Sequence, residues 1–523
     1  MIIRTAITDL LAAYAIFLAM RYNMHMFQLN GYKNDEQISW LRKNLRMQWV
    51  LVAAIFLGTL RLFVSHIAVD IVIWLWLWLI IVVFRAMRRM KAKKKLVYTA
   101  RVKRMLVTIV VLIAAILTVI ALFSGIEPLT GAMMIIVGTQ WFFNIIANII
   151  NHPIEQLVNL HYINDAKRIL KSCKDLTIIG VTGSYGKTSV KFYLYTLLRD
   201  SFNTLVTPES YNTPMGIVKT IRGSLKPSHE IFVCEMGARR VGEIKEICDI
   251  VHPHHGVITS VGPQHLETFF SIDNIKKTKF ELADSLPEGG MLFLNGDNEY
   301  IRQQVDKCSG KYGNIIYYTE SENDGYTASG LKVSQTGTEF TVTSPDGESE
   351  VFSTRLVGKH NVINIAGAIA VANKLGVPLR NLRIPVRRIE PVPHRMELKD
   401  QGAVTIIDDA YNSNPVGSRA AVETLKMFDG IRILITPGMV ELGEKEYEYN
   451  RLFGTYAADC CDYILLVGRK RAEPIREGVL SKGFPEDKCL VYDKLEDAVQ
   501  YAYGIKEQGH KYILLENDLP DNY

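Results

Sequence analysis

Five apolar segments fill the first 150 residues of this 523-residue chain, at about 6–26, 49–66, 67–84, 105–124 and 128–150. Each is close to the ~20 residues that a helix needs to cross a bilayer. In hydrocarbon every backbone N–H and C=O has to be satisfied within the segment, so such a stretch has to be helical. The first segment is interrupted by Arg21 and has a cleavable signal peptide as its rival reading. No small-residue cleavage site follows it, so an anchor is preferred. Segments two and three meet at Ser65–His66 and segments four and five at Gly125–Pro128, both as tight hairpins.

Charge orients these segments. The net charge is +6, and ten basic residues stand between Arg85 and Arg104. A run of this kind can bind nucleic acid, but apolar segments on both sides favour a cytoplasmic membrane loop, and no nucleic-acid partner is expected. The loop 33–46 adds Lys33, Arg42, Lys43 and Arg46, while the hairpin tips nearly lack Lys and Arg. Positive loops stay inside, so five crossings put the N-terminus outside and everything after residue 150 in the cytoplasm. The lipid bilayer is thus an expected partner, and the location a multi-pass cell membrane. Arg61 and Asp70 fall near the outer face and are expected to pair or to snorkel rather than line a transport path. Seven cysteines without Cys-x-x-Cys spacing support neither a zinc site nor a disulfide framework.

From residue 176 onward, strand-like apolar runs alternate with helical patterns, at 176–182, 230–236, 256–261, 291–295, 403–408, 431–436, 463–467, 489–492 and 511–515. That alternation predicts parallel α/β sheets. Between 326 and 356 the pattern becomes short alternating runs around "SPDGES", a small antiparallel insert. The expected organisation is multi-domain. A transmembrane region over 1–150 and a linker helix over 151–175 precede a central domain over 176–390, and a C-terminal domain over 391–523 follows the prolines of "RIEPVPHRME".

The chemistry starts at "TIIGVTGSYGKTSVK" (177–191), which reads as strand, glycine loop and helix. A phosphate loop needs glycines so that backbone N–H groups point at the anion, a lysine for the outer phosphates and a hydroxyl for magnesium. Gly183, Gly186, Lys187 and Thr188 supply these, although Val181 stands where the general pattern has its first glycine.

The tighter pattern G-x-T-G-S/T-x-G-K-T-S/T resembles that of the Mur ligases, ATP-dependent amide-bond ligases that build the peptide stem of bacterial peptidoglycan. The resemblance runs in order from about 176 to the C-terminus. It continues through "YNTPMGI" (211–217), "VCEMGARRVGEI" (233–244), "VGPQHLETF" (261–269), "KTKFEL" (277–282), "LNGDN" (294–298), "GKHNVINIAGAIA" (358–370), "PVPHRME" (391–397), "DDAYNSNP" (408–415) and "GMVELG" (438–443). Within the family it is most similar to the MurF branch, which adds D-Ala-D-Ala to UDP-MurNAc-tripeptide. The fold implied is an α-helical membrane region, an α/β P-loop central ATP-binding domain and a Rossmann-like α/β C-terminal domain.

The resemblance also implies roles. ATP phosphorylates a carboxylate, and an amine attacks the acyl phosphate, so charge on the transferring group has to be neutralised by lysine and metal. Gly183, Ser184, Gly186, Lys187, Thr188 and Ser189 would hold the phosphates, with Asn364 at adenine, Arg395 at the phosphates and Asp409 at the ribose. Thr188 and Glu235 would ligate one Mg²⁺, which prefers hard oxygen ligands, and His265 would serve a second. Lys187, Lys279 and His265 would be catalytic, Lys279 as a carbamylated lysine. Asn212, Asn412 and Asn414 would face the substrates, which are a peptidoglycan precursor and an amino acid or dipeptide. Other cell-wall enzymes are candidate partners. His360 and His394 are open between structural and ATP-proximal roles.

Three departures bear on substrates. Only about 25 residues separate the last apolar segment from the phosphate loop, which leaves no room there for the family's soluble UDP-sugar-binding domain. Pro437-Gly438-Met439 stands for the branch's Gly-Asp-Met, and the chain closes with "YILLENDLPDNY" (512–523) where Lys-Gly-Ser is expected. The competing readings are a ligase acting on a lipid-linked or other envelope precursor, an ATP-driven transporter and an inactive scaffold. The zinc-ribbon amidating relatives are disfavoured by the absence of a four-cysteine cluster.

Overall fold

The computed structural model describes residues 2–44, 49–64, 66–89, 95–209, 211–308, 310–320, 325–334, 337–391, 394–410 and 413–517. Residues 90–94 of the basic loop, Arg46, Ser65, Asn412 and the tail from 518 onward lie outside the described residues. The described residues form two compact units, one up to His161 and one from Tyr162 onward.

The first unit contains α1 (Ile2–Leu29), α2 (Asn34–Lys43), α3 (Trp49–Phe63), α4 (Ile67–Arg89), α5 (Ala100–Ser124), α6 (Leu129–Gly138) and the start of α7 (Gln140–Ser172). Among the described residues three helices are long and apolar enough to cross a membrane, at Thr5–Leu29, Ile67–Ala86 and Ala100–Ser124, or four if the bent pair α6 and α7 counts as one span. The expected second segment, α3, has only 15 residues. The expected fifth is broken, because α6 and α7 meet at 77°. The cause is local. Gly138 lies so close to α3 that a Cβ would be 2.6 Å from the Leu51 carbonyl, and Thr139 bonds back to the Ile135 carbonyl at 2.8 Å. Glycines let backbones approach in this way, and hydroxyl back-bonding bends helices. Gly58 of α3 and Gly131 of α6 meet similarly, each Cβ position lying under 3 Å from the other's carbonyl oxygen. Arg61 and Asp70 pair at 2.7 Å.

Polar side chains recur along α7 at Gln140, Asn144, Asn148, Asn151 and Glu155, all buried. The spacing of three or four residues puts them on one helical face. Arg104 grips Glu155 with two hydrogen bonds of 2.8 and 2.9 Å, Asn151 donates to Thr108 at 2.9 Å, and Arg101 donates to Asn148 at 3.1 Å. Hydrogen bonds thereby join α5 to α7.

The second unit is built on two mixed sheets. The first contains β1 (Thr177–Thr182), β2 (Thr204–Val206), β3 (Ile231–Glu235), β4 (His255–Ile258), β5 (Leu292–Asn295), β6 (Ile315–Thr319), β7 (Gly325–Ser334), β8 (Gly337–Thr343) and β9 (Ser349–Thr354). Their order is β2-β3-β1-β4-β5-β6-β7-β8-β9. Pairing is parallel as far as β7 and antiparallel from β7 to β9, as the alternating insert predicts. The second sheet holds β10 (Glu397–Asp400), β11 (Val404–Asp409), β12 (Ile431–Thr436), β13 (Tyr463–Val467), β14 (Cys489–Tyr492) and β15 (Lys511–Glu516) in the order β10-β11-β15-β12-β13-β14. Only the edge strand β10 is antiparallel to its neighbour. Parallel strands are covered on both faces, which is why they read as unbroken apolar runs. All seven cysteines are free thiols.

β1 lies between β3 and β4, so the loop after it opens at the C-terminal edge of the sheet's centre. Ligands bind at such edges in open α/β sheets. In the second sheet β11, β15 and β12 likewise end side by side.

Helices Glu446–Ala458 and Arg469–Leu480 cross through Gly454 and Gly478, and a Cβ on Gly478 would lie 1.9 Å from the Arg451 carbonyl oxygen. Gly478→Ala should therefore force the pair apart and cost about 2–3 kcal/mol, read as a lower midpoint of thermal unfolding. An unchanged midpoint would contradict this packing.

Candidate active site

The glycine loop is shaped by close approach. Gly183 has φ +152° and a Cβ there would sit 2.1 Å from Thr259 Oγ1, while Gly186 has φ +79° and a Cβ would meet Asn364 Oδ1 at 2.9 Å. Neither position accepts a side chain without rearrangement. The Ser184 and Tyr185 amides are held by Ser260, at 2.7 Å to its carbonyl and 2.8 Å to its hydroxyl. Helix α8 (Lys187–Leu198) then starts, so its first-turn N–H groups face the loop's hollow, an arrangement suited to an anion. Lys187 folds back over this hollow and donates to the Gly183 and Ser184 carbonyls at 2.7 and 3.0 Å. Burial lowers its pKa to about 8, against the opposing pull of Glu235.

Glu235 ends β3 with its side chain fully enclosed. Thr188 Oγ1 and Asn212 Nδ2 each donate to its Oε1 at 3.0 Å, and the Lys191 ammonium is 3.0 Å from Oε2. Burial pushes the carboxyl up, but Lys191 and Lys187 outweigh it and leave the group below its ordinary range. Asn212, expected at the substrate, is thus a partner of Glu235. Lys191 was not singled out from sequence, where a lysine in a helix reads as a solvated charge. Ser189 is buried in α8.

His265 sits in a left-handed conformation (φ +51°) with Nδ1 hydrogen-bonded to Glu441. Burial lowers its pKa, with Glu441 opposing, so the ring is held toward the neutral, ligand-competent form. Glu441 belongs to the quoted "GMVELG" but had no assigned role. Lys279 is 2% exposed, its ammonium 5.9 Å from the centre of the Phe269 ring. Burial and the charge of Lys187 depress its pKa well below the ordinary value, which favours a free amine.

One small cavity gathers Ser184 to Thr188, Gln264, Arg395 and Asn414. The glycine loop after β1 and the segments flanking β10 and β11 therefore share a single hollow. Asn414 also caps the helix Pro415–Leu425, accepting from Gly417 N at 2.7 Å. Asp409 ends β11, where the Met396 amide donates to it at 3.2 Å, and burial raises its pKa to about 6 against the pull of Arg395. Asn364 lies against Gly186 rather than away from the loop. Burial lowers the His360 pKa to about 4. His394, Glu397 and Asp408 form a potential metal-ligand cluster, but the Lys399 ammonium is already 2.6 Å from Asp408.

Residues 181–372 match the Mur ligase middle domain, and residues 394–515 match the Mur ligase glutamate ligase domain. The UDP-N-acetylmuramoyl-tripeptide–D-alanyl-D-alanine ligase of Bacillus subtilis is 31% identical over 338 residues, which is 64% of this chain and 71% of the relative. The chain belongs to the Mur ligase family. The Escherichia coli enzyme of the same name is 31% identical over 343 residues, 65% of this chain and 75% of that one. Among solved structures, MurF from Thermotoga maritima in complex with ADP superposes with a TM-score of 0.62 at 25% identity, covering 69% of this chain and 80% of that one. MurF from Acinetobacter baumannii gives 0.63 at 24% identity, covering 69% and 77%.

As a Mur ligase the chain is an ATP-dependent peptide ligase that uses Mg²⁺. The residues fit both. The loop's two glycines leave a cradle that any Cβ would fill, and a buried carboxylate with a neighbouring hydroxyl is a hard-oxygen donor set.

Sequence reasoning also passed over Glu516, a buried carboxylate ending β15 that accepts from Ser413 and, at 2.7 Å, from Thr436. Burial lifts its pKa to about 7 from an ordinary 4.5. Between those values the folded state binds more protons than the unfolded chain, so stability falls as the pH rises through that window. Glu516→Gln should flatten the pH dependence of the unfolding midpoint between pH 5 and 7 and be relatively stabilising above it. A variant whose midpoint tracks the parent at every pH would show that this carboxyl does not titrate so high.

Proposed function

We propose that this Mur ligase is a membrane-anchored enzyme of the MurF type, adding D-Ala-D-Ala or a related amine to a muramoyl-peptide carboxylate through an acyl phosphate. The supporting observation is the shared hollow in which Lys187, Thr188, Arg395 and Asn414 converge beside Glu235. The names of the relatives supply the substrate class. The apolar helices of the first unit support the anchor, with the ligase domains on the cytoplasmic side.

In this reading Lys187 leaves its own loop carbonyls to meet the transferring phosphoryl group, and Arg395 meets the same charge from the other side. Thr188 and Glu235 would hold one Mg²⁺ and His265 a second, with Glu441 fixing the ring's tautomer; the metal supplies charge neutralisation at the phosphates. Lys279, as a free amine, takes up CO₂ and releases a proton, and the resulting carbamate is an anionic positioner. Asp409 and Asn364 lie beside the nucleotide, and Asn414 beside the incoming amine.

A second reading has the same ligase serving a lipid-linked acceptor, favoured by the apolar helices that precede the ligase domains. Purified full-length protein with ATP, Mg²⁺, D-Ala-D-Ala and UDP-MurNAc-tripeptide should release phosphate and yield the extended peptide. Product from a lipid-linked acceptor alone would replace the first reading with the second. Lys187→Ala should lower turnover by roughly two orders of magnitude or more with either acceptor; retained turnover would remove Lys187 from the site. Labelled bicarbonate should give a protein-bound carbamate that is missing from Lys279→Ala, and a signal surviving in that variant would place the carbamate elsewhere.

A further inference from the structure

We propose that Lys191 is a built-in counter-ion that keeps free divalent cations off Glu235, so that the metal enters only together with nucleotide phosphates. This rests on reading Glu235 and Thr188 as the protein ligands of the metal. The side chains of Lys191 and Glu235 are 0% and 1% exposed, with the ammonium 3.0 Å from Oε2. The same ammonium donates to the Glu209 carbonyl, so it is held from a second side. Oε1 is already taken by Thr188 and Asn212. Both carboxylate oxygens thus carry a partner before any metal arrives.

Charge makes the exclusion selective. Lys191 follows Lys187 by four residues on α8, so both ammonium groups project from one helical face toward Glu235. Arg395 lines the same hollow as Lys187. Glu235 thus faces two ammonium groups, an excess of positive charge that draws polyanions and repels a bare cation. Mg²⁺ sheds water reluctantly and is usually bound through one or two carboxylates plus substrate phosphates. A cation arriving alone would have to displace a buried ammonium, whereas one arriving with phosphates brings its own neutralising charge.

The test uses Mn²⁺ as a paramagnetic probe on the full-length protein, with and without ADP. The parent should bind no Mn²⁺ in the submillimolar range alone and should bind it once ADP is present. Lys191→Gln keeps a donor for Glu209 but removes the charge, and should bind Mn²⁺ without nucleotide roughly tenfold more tightly or better, the effect of deleting one close like charge. Its unfolding midpoint should also rise on adding Mn²⁺, more than the parent's does. Lys191→Arg retains the charge and should behave as the parent. Tight nucleotide-free binding by the parent or by Lys191→Arg would overturn the proposal, as would a Lys191→Gln protein with unchanged affinity. Glu235→Gln separates the two readings: ADP-dependent Mn²⁺ binding that survives it refutes Glu235 as a ligand, whatever Lys191 does.

Discussion

The ligase unit depends on one buried negative charge. Glu235 stands at the end of a strand that is covered on both faces, where an unpaired carboxylate would be costly. It is tolerated because α8, emerging from the neighbouring strand's loop, brings two lysines to it one helical turn apart. Each part then constrains the others. The β1–β3 register sets where Glu235 ends. The glycine loop sets where α8 begins, and the helix carries Thr188 to the carboxylate. A change in any one of these would leave a charge buried without compensation, a far larger penalty than the loss of a surface ion pair.

Much of this architecture was legible because the physics that builds it is local. An apolar run of five or six residues that ends in glycines and a Gly-Lys-Thr can become strand, loop and helix, and little else. Val181, out of place in the general phosphate-loop pattern, is a fully buried residue of β1, so the misfit reflects where the strand ends. The nine apolar runs of the α/β part all became strands. The ones overlooked were β2, with three residues, β6, whose first positions are only half-buried, and the edge strand β10, which reads "ELKD". Such strands exist because a neighbouring strand offers hydrogen bonds, which a sequence pattern does not record. The break between α6 and α7 escaped for a similar reason. Hydropathy runs straight through 128–150, whereas the bend follows from glycine-to-backbone contact with α3.

Site residues divide along the same line. That Lys187, Thr188 and Glu235 meet was legible because each sits at a fixed offset from a strand end. Lys191, Glu441 and Glu516 were not, because a charged residue is informative only once its burial is known, and burial is decided by the tertiary fold. Asn212 shows the intermediate case, since its place near the site could be anticipated and its partner could not.

The two segments that depart from the MurF pattern in the C-terminal part turn out to be mutually dependent. Asn517 adopts a left-handed conformation (φ +66°), donates to the Gly438 carbonyl at 2.6 Å and accepts from the Ser413 amide at 3.2 Å. Glu516 beside it accepts from Ser413 and Thr436, and the Thr436 hydroxyl in turn receives the Gly438 amide at 3.0 Å. The strand ends of β11, β12 and β15 are therefore tied by side chains of one dipeptide. Gly438, at φ +82°, is where the backbone turns to meet it. A residue with a Cβ there would press on Asn450 at 2.8 Å, so the Pro437-Gly438-Met439 turn and the Glu516-Asn517 ending suit one another as a set. Asn414, the residue that this bracket steadies through Ser413, lines the shared hollow. Glu516 and Asn517 thus act on the site through position, holding a wall of the cleft with buried hydrogen bonds.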